Sequence, residues 1–477
     1  MKSVDNASQD LLGSSQGEEI ATGLDVARRA VERAFSAMVN GPVAPAEGVE
    51  AISGRLRLID LAQGQGTEAA LEEAASLMAD GDLLSAHARC FGYFNPTPAW
   101  PGVLADLLSA VRNPQLCVVS HAPASVMMER KLIAWLNAAL GFPANATGHF
   151  TSGGSEANAT GLQVALARLF PGYDTEGAAA LPGPARLYAS ADSHLAWIKL
   201  ARAAGLGRNA VSLIPTDGAG RLDPDALRSA IAADRAAGAV PVMIAATAGT
   251  TNAGMIDPLH ACADIAAETG LHLHVDAAWA GALIVDETRR PLLDGIERAD
   301  SVTVDAHKWL AVPMGAGMVF VRDAEALSRA FAVTTSYMPA GDGVDAYVTS
   351  YQWSRRFIGL RLWMTLRTIG VAGYRAMFDR QFALADALRD GLRARGWNIR
   401  NASSLPVVLF EDPEGRDSSA LAAWLEADRQ TWLGHVAFEG RPALRACITS
   451  YLTGPDDIEV LLDRLDAARA EVQPASR

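Results

Sequence analysis

The chain has 477 residues, half of them hydrophobic and a fifth charged, and carries a net charge of −13. That length calls for two or three structural units of an ordinary soluble, globular composition. The acidic balance excludes a basic footprint for nucleic acid or anionic lipid, and no apolar run reaches the ~18 residues that span a bilayer. Four cysteines, at 90, 117, 262 and 447, are scattered without a C-x-x-C pair or a His/Cys cluster. Neither a disulfide framework nor a metal site is therefore expected. A polar N-terminus without an apolar signal core adds the expectation of a cytoplasmic protein.

Along the chain, residues 1–20 are rich in Ser, Gly and Gln, and helical patterns follow over 18–40 and 69–84. An aromatic, proline-punctuated stretch at 87–98 reads as a loop or short strand, and helices are expected over 101–111 and 125–140. From about 148 to 321 short apolar runs alternate with helical stretches. The runs lie at 186–190, 240–246, 271–275, 301–304 and 317–321. This alternation predicts βαβ units and a mostly parallel sheet, whose ligands bind beyond the carboxyl ends of the strands. Residues 332–344 are rich in Gly, Pro and small side chains, which suits a surface connection or a mobile lid. Helices are expected over 356–369 and 374–395, then a smaller α+β unit with strands at 406–410 and 444–449 and helices at 418–427 and 457–470.

Two of the apolar runs end in chemistry. One closes on Asp276, in H-V-D-A-A-W, and the other on Lys308, in V-D-A-H-K-W. A lysine at the mouth of a buried strand sheds its proton readily and condenses with an aldehyde, while a carboxylate at a neighbouring strand end matches a pyridinium nitrogen. T-S-G-G-S-E-A-N at 151–158 opens a helical pattern. Its small residues suit a phosphate at a helix N-terminus, and equally a Ser N-cap with Glu156 in the first turn. Thr251, in G-T-T, reads as a ring-hydroxyl contact or a loop cap. His194, after the run at 186–190, reads as a stacking imidazole or a structural histidine.

Taken together, these motifs, in this order and at these separations, resemble the group II pyridoxal-phosphate-dependent amino-acid decarboxylases, most closely the aromatic-L-amino-acid decarboxylase branch. The resemblance runs from about residue 87 to 462, and V-D-A-A-W-A-G with H-K-W is its specific part. It implies the type I, aspartate-aminotransferase-like α/β fold, with a seven-stranded sheet in a large domain and a small α+β C-terminal domain. The expected division is 1–90 for a helical segment wrapping a partner, 91–355 for the cofactor domain and 356–477 for the small domain. A homodimer with active sites at the subunit interface is implied, as is pyridoxal 5'-phosphate (PLP) as cofactor.

By the same resemblance Lys308 forms the Schiff base, Asp276 pairs with the pyridinium nitrogen, and His194 stacks on the ring. Thr251 contacts its 3'-oxygen, Ala278 packs beneath it, Gly154 and Ser155 bind the phosphate, and His307 belongs to the cofactor set. Tyr337 matches the loop tyrosine that returns a proton to Cα. Phenylalanine at that place accompanies aldehyde-forming relatives, so Tyr337 points to decarboxylation. The implied reaction is decarboxylation of an L-amino acid, aromatic by the branch resembled.

Departures from the pattern concern the substrate. Where the aromatic branch has Tyr-Phe-Pro-Thr, this chain has Tyr93-Phe94-Asn95-Pro96-Thr97, so that Pro96 takes the threonine's place. The positions that the neighbouring subunit supplies to the pocket fall on Gln115 and Cys117, which offer less aromatic surface. Acidic, diamino or aliphatic substrates, or aldehyde synthesis, are the alternatives. Ser354 stands where Ser or Gly tracks phenol or indole preference in some plant members, and Arg355 and Arg356 read equally well as a solvated helix face. Asp305 replaces the family's asparagine, and a carboxylate beside a phosphate is unfavourable, so Asp305 is expected to face elsewhere.

Overall fold

Seven short runs, most of them rich in β-branched or small residues, form a seven-stranded sheet in the computed structural model, which describes residues 17–333 and 345–474. Its strands are β1 Thr147–Thr151, β2 Ala185–Ser190, β3 Val211–Ile214, β4 Val240–Thr247, β5 His272–Asp276, β6 Ser301–Asp305 and β7 Gly317–Val321. They lie in the order β1-β7-β6-β5-β4-β2-β3. The five strands from β6 to β3 are mutually parallel, and β7 runs antiparallel to both β6 and β1. Helices cover the sheet, which is why β5, β6 and β7 are buried at every residue, the polar side chains of β5 and β6 included. The α/β class and the mostly parallel seven-stranded sheet are as the sequence implies. The strands it does not announce are β1, which carries a glycine at its second position, and β3, a four-residue edge strand.

A second sheet, entirely antiparallel, follows the order β10-β11-β9-β8, with β8 Asn398–Ile399, β9 Val407–Glu411, β10 Gly434–Phe438 and β11 Arg441–Cys447. Helices Ser418–Asp428 and Pro455–Glu471 close over it around a separate core that includes Leu388, Phe410, Leu425, Leu444 and Leu461. The helix Leu360–Ala394 joins the two sheets. It is broken at Gly370, whose φ of 62° and ψ of −176° no helix accepts, so the two expected helices form one kinked element.

That long helix also fixes the segment after Lys308. Tyr374 Oη donates to Leu310 O at 2.9 Å. Trp309 Nε1 donates to Gln381 Oε1 at 2.7 Å, and Gln381 Nε2 donates to Thr449 O at 2.6 Å in the second unit. Arg361, buried, donates to the carbonyls of Met314 and Gly315 at 2.7 and 3.0 Å. Buried polar partners of this kind hold a loop as firmly as regular structure does.

Candidate active site

Asp276 is the last residue of β5, and its buried carboxylate is held from two sides. Asn158 Nδ2 donates to Oδ2 at 2.8 Å, and the Ala278 amide donates to Oδ1 at 3.1 Å. Behind Asn158 stands a row of buried groups. His274 Nε2 lies 3.0 Å from Asn158 Oδ1, His274 Nδ1 lies 2.8 Å from Ser301 Oγ, and His272 Nε2 lies 2.7 Å from the same hydroxyl. Because the Asn158 amide nitrogen is spent on Asp276, its oxygen must accept, so His274 carries its proton on Nε2. Ser301 then donates to His274 Nδ1 and accepts from His272. Burial pushes the His274 pKa down to about 4 and that of His272 well below its ordinary range, so both rings stay neutral and every donor in the row points toward Asp276.

Lys308 lies three residues beyond the end of β6, the strand beside β5. Its Nζ is 3.1 Å from Asp305 Oδ2. The Asp305 amide donates to Ala278 O at 2.7 Å, which ties the ends of the two strands together. The helix Gly154–Leu169 begins directly over Asp305: a Cβ placed on Gly154 would come within 2.7 Å of Asp305 Oδ2. Asp305 therefore does not face elsewhere. No other position is open to it, since as the last residue of a strand buried at every position its side chain turns under the glycine turn. His307 is buried, accepts from the Ala316 amide at Nδ1 (3.2 Å), and its pKa is lowered by burial.

The structure thus brings together Gly154, Asp276, Ala278, Asp305, His307 and Lys308. Thr251 and the 92–94 segment are tied to each other by Arg445, which donates to Thr251 O and to Gly92 O, each at 2.6 Å, and lies over the Phe94 ring. Asn95 Nδ2 reaches His307 O at 3.5 Å. Phe94 stacks on Trp279, and Tyr93 stacks on Trp432. Pro96 is buried beside them, whereas Ser155 and His194 are exposed. Asp192, two residues before His194, takes a hydrogen bond from Asn252, next to Thr251.

Gln115, Cys117 and Ser354 form a separate group. Gln115 Oε1 accepts from the Arg355 amide at 2.7 Å, and Cys117 O accepts from Tyr347 N at 3.4 Å. Arg355 departs from the solvated reading: at 8% exposed, it pairs with Glu129 at 2.7 Å and donates to Phe150 O at 3.2 Å. Arg356 is exposed and pairs with Asp106. Tyr337 lies outside the described residues. Among those described, His260, Asp294 and Glu297 bring possible ligand atoms within 4.8 Å of one another, on the surface.

Sequence reasoning missed Asn158 and Arg445. Asn158 stands three residues after Ser155, one helical turn inward, and Arg445 is a charge inside an apolar strand run; both are signals of a buried polar partner.

These residues suit a PLP-sized cofactor with a phosphate, an aromatic nitrogen and an aldehyde. The turn at Gly153 and Gly154 lets backbone come close to Asp305, whose Oδ1 is buried there without a partner among the described residues. Residues 58–411 match the family model described as Pyridoxal-dependent decarboxylase conserved domain. L-2,4-diaminobutyrate decarboxylase of Rhizobium meliloti (strain 1021) is 29% identical over 423 residues, covering 86% of this chain and 83% of the relative. Cysteine sulfinic acid decarboxylase of Rattus norvegicus is 32% identical over 348 residues, covering 71% of this chain and 70% of the relative. Among solved structures, Oryza sativa TDC with PLP and tryptamine has a TM-score of 0.89 at 25% identity, covering 96% of this chain and 99% of that one.

Proposed function

Since the chain belongs to the pyridoxal-dependent decarboxylase family, we propose that its PLP-dependent decarboxylation acts on an L-amino acid with a short polar or charged side chain, with Lys308 as the amine that holds the cofactor's aldehyde carbon. Bound PLP supplies a sink for the electron pair left on Cα when CO₂ departs. Asp276 keeps a proton on the ring nitrogen, and the row of donors behind it holds the carboxylate as an anion. Gly154 and Ser155 take the phosphate at the helix start, where amides and the helix dipole favour negative charge. His194 and Ala278 would hold the ring, Thr251 would contact its oxygen, and His307 would support Lys308. Tyr337 returns the proton to Cα. The observation that carries these roles is the adjacency of Asp276 and the Asp305–Lys308 pair at the ends of β5 and β6.

The side-chain preference rests on the ring surface left near the site. Phe94 is buried against Trp279 and Arg445, while Tyr93 stacks one face on Trp432 and is otherwise exposed. Two relatives are named for diaminobutyrate and cysteine sulfinate. An aromatic substrate is the second reading, favoured by the likeness to a structure holding tryptamine. Release of CO₂ from L-2,4-diaminobutyrate, cysteine sulfinate, glutamate, aspartate, DOPA and tryptophan decides between them. The highest kcat/KM is expected among the first four, and a preference for DOPA or tryptophan would replace this reading with the second. In the same assay Tyr337→Phe should divert product from amine to aldehyde with oxygen consumption; unchanged amine output would remove Tyr337 from the reaction.

The reading includes a homodimer, supported by a stripe of exposed apolar residues, Trp100, Leu104, Leu107, Leu108 and Val111, on one face of the helix Trp100–Arg112. In that dimer Gln115, Cys117 and Ser354 would reach the partner's pocket, residues 1–90 would wrap the partner, and 91–355 and 356–477 would form the large and small domains. The four cysteines are free and buried, in keeping with a reducing cytoplasmic setting. No helix among the described residues is long and apolar enough to cross a membrane.

A further inference from the structure

Asp305 is the charged group at this site to which the proposed reaction gives no task. It ends β6 at 2% exposure, with Oδ2 3.1 Å from Lys308 Nζ and 3.8 Å from His307 Nε2, while Oδ1 is buried without a partner among the described residues. From above, the Gly153–Ser155 turn presses on it so closely that no Cβ fits at Gly154. The groups that face it are one cation (Lys308), one imidazole kept neutral by burial (His307), and one anion (Asp276) on the adjacent strand. Lys308 is the cation in direct contact with it.

That balance holds only while no anion occupies the turn. When a phosphate enters the turn, the carboxylate gains a like charge at close range, which Lys308 cannot balance in addition to the carboxylate's own. Like charges at a shared buried site do not both persist, and one of them binds a proton. We propose that Asp305 takes up one proton from solvent as the cofactor's phosphate enters the Gly153–Ser155 turn, and that the neutral carboxyl then donates a hydrogen bond to the phosphate. No other bond changes in this step. The burial of Asp305 already raises its pKa before any phosphate arrives. The inference rests on the phosphate-binding role proposed for Gly154 and Ser155, and it makes Asp305 a proton-dependent gate on cofactor loading.

The test is calorimetric titration of the cofactor-free enzyme with pyridoxal 5'-phosphate near pH 8, in two buffers of different protonation enthalpy, for the wild type and Asp305→Asn. The wild type should take up about one proton more per cofactor than the variant, and above pH 8 its affinity should fall about tenfold more steeply per pH unit. Equal proton counts with parallel pH slopes would overturn the inference. If the variant fails to fold, the infrared difference between cofactor-loaded and cofactor-free wild type decides: a protonated-carboxyl band should appear on loading, and its absence would overturn the inference as well. A wild type that binds no pyridoxal phosphate would instead bring down the reading of the whole site.

Discussion

His274 illustrates how a single buried residue sets the character of another. Its ring accepts from Ser301 and donates to Asn158, and Asn158 donates to Asp276, so the carboxylate at the end of β5 is met by donors only. Removing the last link should be felt at the cofactor. A hydrogen bond to a charged group contributes about 1.5–3 kcal/mol, so Asn158→Ala should lower cofactor affinity and turnover about tenfold or more. The thermal midpoint should fall as well, because Asp276 and His274 each lose a buried partner; a variant that loses stability but keeps its affinity would make Asn158 a packing residue. At this scale the sequence was partly legible. Asp276 and Lys308 stand out because a carboxylate and an amine at the ends of apolar strands need a reason. Asn158 and Arg445 do not stand out, because their partners are distant in the chain and only folding brings them within reach.

At the scale of elements, the helix Gly154–Leu169 has to descend onto β5 and β6 for its first turn to sit over Asp305. Gly161 permits this: a Cβ there would lie 2.5 Å from His274 Nδ1 and 3.2 Å from Ser301 Oγ. Overpacking a tight interior costs about 1–3 kcal/mol. Gly161→Ala should therefore lower stability to denaturant by that amount and weaken cofactor binding, because the helix start moves with its middle. A variant as stable as wild type would show that the helix has room to shift. The periodicity of this helix is readable in the sequence, as are the five main strands, because burial on both faces writes itself as an apolar run. β1, β3, β8 and β10 are hidden: each is short or edge-placed, and so lacks that signature.

Across the whole molecule, buried neutral histidines set a limit on acid stability. His149 on β1 is 5% exposed, has no partner for either ring nitrogen among the described residues, and is pushed down to about 3 by burial and the nearby Arg355. His274 lies at about 4. In each case the folded pKa is below the ordinary 6.5. The unfolded chain therefore binds the proton first: stability is fully present above pH 6.5 and is lost as pH falls toward the folded value. Each should contribute about 1.4 kcal/mol less at pH 5.5 than at neutral pH. Chemical denaturation at both pH values should show a smaller acid loss in His149→Leu than in wild type, and an equal loss would mean that His149 is not buried neutral. The exposed stripe on the helix Trp100–Arg112 belongs to this scale too. Leu107→Asp with Leu108→Asp should convert a sedimenting dimer to monomer, whereas a wild type that sediments as a monomer would remove the dimer from the proposal.

What the sequence determined by itself was the fold class, the family and the cofactor chemistry. These depend on local patterns: apolar runs, a glycine turn at a helix start, and short motifs around Asp276 and Lys308. The tertiary structure decided which neighbours those residues have. It turned Asp305 toward the Gly153–Ser155 turn, buried Arg355 against Glu129, and packed Phe94 on Trp279 and Arg445 and one face of Tyr93 on Trp432. The physical reason is that chemistry at a strand end is carried by the residue present there, whereas charge balance and free surface depend on groups hundreds of positions away that meet only when the chain packs.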